Sequence, residues 1–216
     1  MIDTPAIERL GDDALIVRFA NTISWAVGAR VRAAAASIRA LQIHSVTDVV
    51  PAYTTIAVYF DRTDIAFDTI AHAIVPAINA NATEMSEDGT LIEIPVRYDG
   101  PDLLEVAELT GLTVSDVIAR HSSRTYHAYM AGFAPGFVYL GDLDPSLVLS
   151  RRAAPRVRVP AGSVAIAAAQ TAVYPLETPG GWHLIGSTAL TMFDADRDPP
   201  ALIRAGDTVR FVPVGE

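Results

Sequence analysis

The chain has 216 residues, half of them hydrophobic, a length that holds one large domain or two small ones. Its formal net charge of −9 argues against a nucleic-acid backbone as the main partner, because phosphate binding needs clustered cations. Cysteine and lysine are both absent. These absences exclude disulfides, thiolate metal sites, a cysteine nucleophile and Schiff-base chemistry on this chain.

The N-terminal segment lacks the pattern of a secretion signal. Asp3 and Glu8 come early, and no basic region precedes an apolar run. No apolar stretch of the sequence reaches the length needed to span a membrane. We therefore expect a cytoplasmic protein that binds neither membrane nor nucleic acid.

The first ninety residues alternate strand-like and helix-like patterns. Apolar residues at helical spacing predict helices over Trp25–Leu41, which Ser24 caps, and over Asp64–Ile78. Short β-branched runs predict four strands, at Ala14–Phe19, Val46–Val50, Thr54–Phe60 and Leu91–Tyr98. The order βαββαβ predicts a ferredoxin-like α+β domain. We expect a surface loop over Asn79–Gly89, and domains at 1–88 and 89–216.

The rest of the chain predicts two short helices followed by a β-barrel. The first helix begins after Gly100-Pro101-Asp102 and ends at Gly111, and the second runs from Thr113 to near His121. After His121 the helical period stops, and short strands separated by Gly and Pro indicate a closed barrel. The predicted strands are Tyr126–Met130, Phe137–Leu140, Arg156–Pro160, Val164–Ala168, Ala172–Pro175, His183–Gly186 and Thr208–Val214.

Three turn-rich segments stand out in this second half: Gly132–Leu140, Pro155–Val164 and Pro179–Gly186. Glycine supplies backbone angles closed to other residues, and proline fixes φ and removes a donor. The segments therefore predict tight connections between strands. The Gly180-Gly181 pair also lets backbone N–H groups approach a carboxylate or phosphate closely, with a plain barrel turn as the alternative.

Two residues are candidates for catalysis. His121 lies at a predicted helix end and is a candidate general acid or base, because histidine titrates near neutral pH. A C-terminal cap that interacts with the helix dipole is the alternative. Gln170, between two strands, can hydrogen-bond an amide at a barrel mouth. No histidine cluster has the spacing of a zinc site, and the sequence contains no lysine-dependent phosphate loop.

Four arginines lie within eight residues: Arg151, Arg152, Arg156 and Arg158. Arg156 and Arg158 are two apart in a predicted strand, so their side chains share a face. Two guanidiniums on one face repel each other unless an anion, a carboxylate or solvent lies between them. This pair is therefore the best candidate for a substrate- or anion-binding surface.

With these motifs in view, the chain resembles the family called allophanate hydrolase subunit 1, also known as KipI or the PxpB component of 5-oxoprolinase. The resemblance covers nearly the whole length. Its motifs are Leu10–Leu15, Val50–Tyr53, Tyr98–Leu103, Gly132–Leu140, Pro155–Ile166, Gln170-Thr171, Tyr174-Pro175, Pro179–Thr188 and Gly206–Phe211. Ser187 and Ala172 depart from the family's usual arginine and glycine.

The resemblance implies an N-terminal α+β domain followed by a cyclophilin-like β-barrel. It implies two partner proteins, an allophanate hydrolase subunit 2 (PxpC-type) and a LamB/YcsF (PxpA-type) protein. The three together would hydrolyse the lactam 5-oxo-L-proline to L-glutamate with ATP, for which this chain alone has no recognisable site. We expect the isolated chain to be inactive.

The resemblance also carries over a set of site residues. His121 and Gln170 are the catalytic candidates, and Tyr126 joins Arg156 and Arg158 as candidates for substrate or anion binding. Aromatic anchors dominate protein interfaces, so the barrel mouth is a candidate interface core. Its predicted members are Phe133, Pro135, Phe137 and Trp182.

Two other functions remain open at this point. Some KipI-type members inhibit a histidine kinase through the barrel domain, so a regulatory binding protein is the first alternative. A prolyl-isomerase-like peptide binder is the second, and it rests on the barrel fold alone.

Overall fold

The computed structural model describes residues 5–80 and 89–215, and the chain divides into two units, Met1–Asp88 and Gly89–Glu216. In the first unit the strands are β1 (Ala6–Arg9), β2 (Ala14–Arg18), β3 (Val46–Pro51) and β4 (Thr55–Phe60). The helices are α1 (Trp25–Ala40) and α2 (Phe67–Ala80). Ser24 caps α1 as predicted, because its side chain accepts a hydrogen bond from the amide of Val27 at 3.2 Å.

The four strands of the first unit form one antiparallel sheet in the order β1-β2-β4-β3. Alternate residues of β2 and β4 are buried, and they form one core with the apolar faces of both helices. Members from the strands include Leu15, Val17, Ile56 and Val58, which are fully buried.

The ferredoxin-like order predicted for this unit is wrong in its strands. The observed order is ββαββα, because β1 pairs with β2 at the sheet edge. The run from Leu91 belongs to the second unit instead. A hairpin needs only a short loop, and Gly11, with φ +70°, supplies the left-handed turn that closes it. Of the loop predicted over Asn79–Gly89, residues 81–88 lie outside the described part of the chain.

The second unit contains the remaining elements. Its helices are α3 (Leu103–Thr110) and α4 (Val114–Ser122), and a single 3-10 turn spans Pro145–Leu147. Its strands are β5 (Leu91–Val96), β6 (Thr125–Ala131), β7 (Val138–Gly141), β8 (Arg156–Val159), β9 (Ser163–Ala167), β10 (Gln170–Val173), β11 (Thr178–Gly180), β12 (His183–Ser187) and β13 (Thr208–Pro213). No helix in the described parts of the chain combines the length and apolarity needed to cross a membrane.

Seven of these strands form a barrel-like sheet in the order β12-β9-β10-β7-β6-β13-β5. Its two edges meet where Arg97 and Ser187 exchange backbone hydrogen bonds of 2.9 and 2.8 Å, so the sheet is nearly closed. Strands β8 and β11 form a separate two-stranded ribbon. The expectation of a barrel built from short strands is confirmed.

Strand β9 is buried along its whole length, and this places the candidate site. Val164 and Ile166 point into the main core, which α3 and α4 also contact. Ala165 and Ala167 point to the opposite face, where a second apolar cluster forms around Phe137. Small alanine side chains leave room on that face for large aromatic rings.

Candidate functional site

A small cavity opens where the loop before β7, the segment after β10 and the turn into β12 meet. Its volume is about 110 Å³, well below the 300–1,000 Å³ of sites for drug-sized ligands. The residues that line it are Phe133, Phe137, Tyr139, Arg151, Tyr174, Pro179, Gly180, Gly181 and Trp182. We call it the aromatic cavity.

Phe137 organises the walls of the aromatic cavity. Its ring centroid lies 5.0 Å from Tyr139, 5.4 Å from Tyr174 and 5.8 Å from Trp182, and each pair is close to perpendicular. Edge-to-face packing of this kind is the arrangement that aromatic quadrupoles favour. Because Phe137 is itself 2 % exposed, these rings are held by packing on both sides.

Phe133 forms the outer edge of the aromatic cavity and is 62 % exposed. Its φ of +77° is unusual for a residue with a side chain, and Gly136 in the same turn has φ +78°. The turn is fixed by Phe137, whose amide donates to the carbonyl of Ala134 at 3.0 Å. Pro135 is exposed at the tip of this loop. The aromatic members predicted at the barrel mouth thus lie together, while their interface role stays a prediction.

The hydroxyl of Tyr174 lies at the base of the turn into β12. A Cβ added to Gly180 would come within 2.2 Å of this oxygen, so only glycine permits the approach. The backbone N–H of Trp182 donates to the hydroxyl, but burial dominates and raises the pKa of Tyr174. The phenol is therefore neutral at physiological pH, and its own proton is available to an acceptor.

Behind the cavity, Asp102 ties the arginine segment to the barrel. Asp102 is 2 % exposed, and its Oδ1 accepts from Arg152 Nη1 at 2.9 Å and from Arg156 Nη2 at 2.6 Å. Its Oδ2 accepts from the backbone N–H of Leu184 at 2.7 Å. Charge-assisted bonds of this length are the strong ones. One buried carboxylate thereby joins the start of α3, the arginine segment and β12.

The predicted pair on β8 does not share an anion in this structure. Arg156 binds Asp102, whereas Arg158 binds the exposed carboxylate of Glu177 at 2.7 Å. Each guanidinium therefore has its own internal carboxylate, which was one of the three alternatives for relieving their repulsion. Their role in binding substrate or anion stays a prediction.

His121 lies in the interior with both ring nitrogens hydrogen-bonded. The hydroxyl of Thr171 donates to the carbonyl of Ala165 at 3.0 Å, so it accepts from His121 Nε2 at 2.9 Å. Nδ1 then accepts from the hydroxyl of Tyr98 at 2.8 Å. His121 is fully buried, and this burial lowers its pKa to about 3. The ring is neutral, so it cannot act as a cationic helix cap.

The surroundings of His121 favour a structural role. Its ring lies 4.5 Å from that of Phe211, centroid to centroid, and its carbonyl accepts from the hydroxyl of Tyr126 at 2.8 Å. Tyr126 is also fully buried, which leaves it no surface for a ligand. Gln170 begins β10 opposite Ala167 and does not line the aromatic cavity. Catalysis by His121 and Gln170 stays a prediction that this geometry does not favour.

A second, larger cavity of about 580 Å³ adjoins the arginine segment. It shares Arg151 with the aromatic cavity and is also lined by Glu105, Arg152 and His183. The carbonyl of Ser150 accepts from His183 Nε2 at 3.0 Å, which fixes the tautomer and leaves Nδ1 unprotonated. Within residues 5–80 and 89–215, no group of three or more His, Asp or Glu side chains is arranged to hold a metal ion.

Sequence reasoning missed Arg151, Tyr174 and Asp102 as members of this region. Tyr174 and Asp102 both lie in motifs shared with the family, yet nothing in their local pattern shows what they contact. A buried acid between two arginines is visible only once segments about fifty residues apart are brought together.

The fold and this site define a known class of protein domain. The sequence profile of the family described as "Carboxyltransferase domain, subdomain C and D" matches residues 5–203. Since the match covers most of the chain, the protein belongs to this family.

Particular relatives narrow the comparison. The PxpB-type 5-oxoprolinase subunit of Bacillus subtilis strain 168 is 39% identical over 97% of this chain and 93% of its own length. The protein of the same name from Escherichia coli O157:H7 is 41% identical over 96% of this chain and 95% of its own. Among solved structures, TTHA0988 superposes with a TM-score of 0.84 at 35% identity over 94% of this chain. The chain spans 40% of the length of TTHA0988.

Proposed function

We propose that this chain is a subunit of an ATP-dependent 5-oxoprolinase, which hydrolyses 5-oxo-L-proline to L-glutamate. The observation that carries the proposal is the near full-length similarity to two proteins named as 5-oxoprolinase subunits, at 39% and 41% identity. The size of the aromatic cavity agrees with a substrate of one small ring.

The reaction divides into steps that this chain's residues fit and steps that they do not. Water opens the C–N bond of the lactam, so that the carbonyl becomes the new carboxylate and the nitrogen the free amine. A five-membered lactam is an ordinary amide, and ATP supplies the driving force. This chain's part is to bind and orient the ring, because its cavity offers aromatic walls, one guanidinium and one phenol.

Neither cavity fits a nucleotide triphosphate. The aromatic cavity is too small at about 110 Å³. In the larger cavity, Arg152 is already bound to Asp102 and Glu105, and the carboxylate of Glu105 lines the wall where phosphates would lie. We therefore assign ATP to the partner proteins, of the allophanate hydrolase subunit 2 and LamB/YcsF types.

The test is an omission assay. The three purified proteins are mixed with 5-oxo-L-proline and ATP, and ADP and glutamate are measured in the complete mixture and in each two-protein mixture. We expect both products only from the complete mixture, and none from this chain alone. Equal turnover without this chain contradicts the proposal, as does a folded, assembled trio that produces no glutamate.

A further inference from the structure

The geometry points to the aromatic cavity as a binding site for a small flat ring that carries a single carboxylate, with the carboxylate bound by Arg151. The identification of this ligand as 5-oxo-L-proline rests on the proposed function. The site itself depends on the charge, hydrogen bonding and size of the cavity.

Arg151 is the guanidinium of its segment that is left for a ligand. Arg152 and Arg156 both bind Asp102, and Arg158 binds Glu177. Within the described residues no carboxylate lies within 4.0 Å of the Arg151 guanidinium, although the side chain lines the cavity. A guanidinium presents a planar fork of donors that matches a carboxylate with two parallel hydrogen bonds.

Tyr174 supplies a second point of recognition. Its hydroxyl accepts from the amide of Trp182, so its proton is directed to another acceptor. The positive charges of Arg151 and Arg156 both act on this hydroxyl, which places it near the site where a ligand anion would bind. A ring carbonyl oxygen is a suitable acceptor for the phenol proton. A lactam with a carboxylate on its ring presents both groups.

The walls determine the shape of the ligand. Phe137 and Trp182 are nearly perpendicular to each other, and Phe133 at the exposed edge lies 5.2 Å from Phe137. A flat five-membered ring can lie against one of these faces while its carboxylate reaches Arg151 at the rim. Apolar walls with a few convergent polar groups are typical of small-molecule sites.

The first experiment measures binding to the full chain without its partners. In a Trp25→Phe background Trp182 is the remaining tryptophan, and its fluorescence is titrated with 5-oxo-L-proline and with 2-pyrrolidinone, which lacks the carboxylate. We expect Arg151→Ala to weaken 5-oxo-L-proline at least tenfold and to leave 2-pyrrolidinone unchanged. Arg151→Lys restores part of the affinity. Equal weakening of both ligands, or of neither, overturns the assignment.

The second experiment uses the assembled three-protein enzyme. Arg151→Ala should raise KM for 5-oxo-L-proline at least tenfold. The control is Arg210→Ala, which removes the same charge from an exposed pair with Glu93 outside the cavity, and it should change KM less than twofold. An Arg151→Ala enzyme with unchanged KM overturns the site but leaves the proposed function standing. If the unaltered enzyme is inactive, the proposed function fails, and the titration still decides the site.

Discussion

Replacement of Asp102 should destabilise the second unit by an amount that the structure divides into two parts. In Asp102→Ala the buried N–H of Leu184 loses its acceptor, which costs about 1–3 kcal/mol. Arg152 and Arg156 also lose their partner, but each is 26% exposed, so solvent limits this loss to about 1 kcal/mol. We expect a total of about 2–4 kcal/mol. Asp102→Asn keeps an oxygen for the Leu184 amide and should cost about half as much.

The assay is urea unfolding followed by Trp182 fluorescence in a Trp25→Phe chain, so that the signal comes from the second unit. Glu93→Ala is the matched control, because it removes an exposed carboxylate bound to Arg210 and should cost about 0–1 kcal/mol. An Asp102→Ala chain within about 0.5 kcal/mol of its parent refutes the reasoning. An asparagine variant as unstable as the alanine variant refutes the part assigned to the Leu184 amide.

Three further predictions concern the same unit. Gly180→Ala should destabilise it by about 1–3 kcal/mol and Gly181→Ala by less than about 0.5 kcal/mol, because an added Cβ meets Tyr174 at 2.2 Å in the first case and nothing closer than 3.7 Å in the second; equal midpoints in urea would contradict this. The unfolded chain protonates His121 near pH 6.5 and the folded chain only near pH 3, so stability should fall by up to about 1.4 kcal/mol per unit as the pH falls below 6.5. His121→Gln should remove this slope from urea midpoints measured between pH 7.5 and 5, and an unchanged slope would assign it to other groups. Thr171→Val should cost about 1–3 kcal/mol by leaving His121 Nε2–H unpaired, whereas Thr171→Ser should retain most of the stability; equal losses would argue against that hydrogen bond.

The barrel strands were predictable because each is a short apolar run bounded by turn residues. Strand β1 was not, because Ile7 is its only residue that is not exposed and no alternation appears. The run that forms β5 was recognised as a strand but assigned to the wrong sheet. Strand β5 pairs in parallel with β13, more than a hundred residues away, and a local pattern carries no information about such a partner.

The candidate site divides in the same way. Phe133, Phe137 and Trp182 were grouped correctly because glycine and proline mark the turns that carry them. Arg151 was not separated from the other arginines of its segment, since four guanidiniums in eight residues look alike in sequence. Asp102 and Glu177 make the distinction, because they bind the neighbours of Arg151 and leave Arg151 without a carboxylate among the described residues.

The sequence by itself determined the features that depend on neighbouring residues: the helices, the short strands, the tight turns and the chemistry excluded by the absence of cysteine and lysine. The tertiary structure decided which side chains are buried and which charges are paired. His121 had the pattern of a catalytic residue, and its burial between Tyr98 and Thr171 favours a structural one. Desolvation and ion pairing depend on atoms from distant segments, so the environment of a titratable group is set only when the chain has folded.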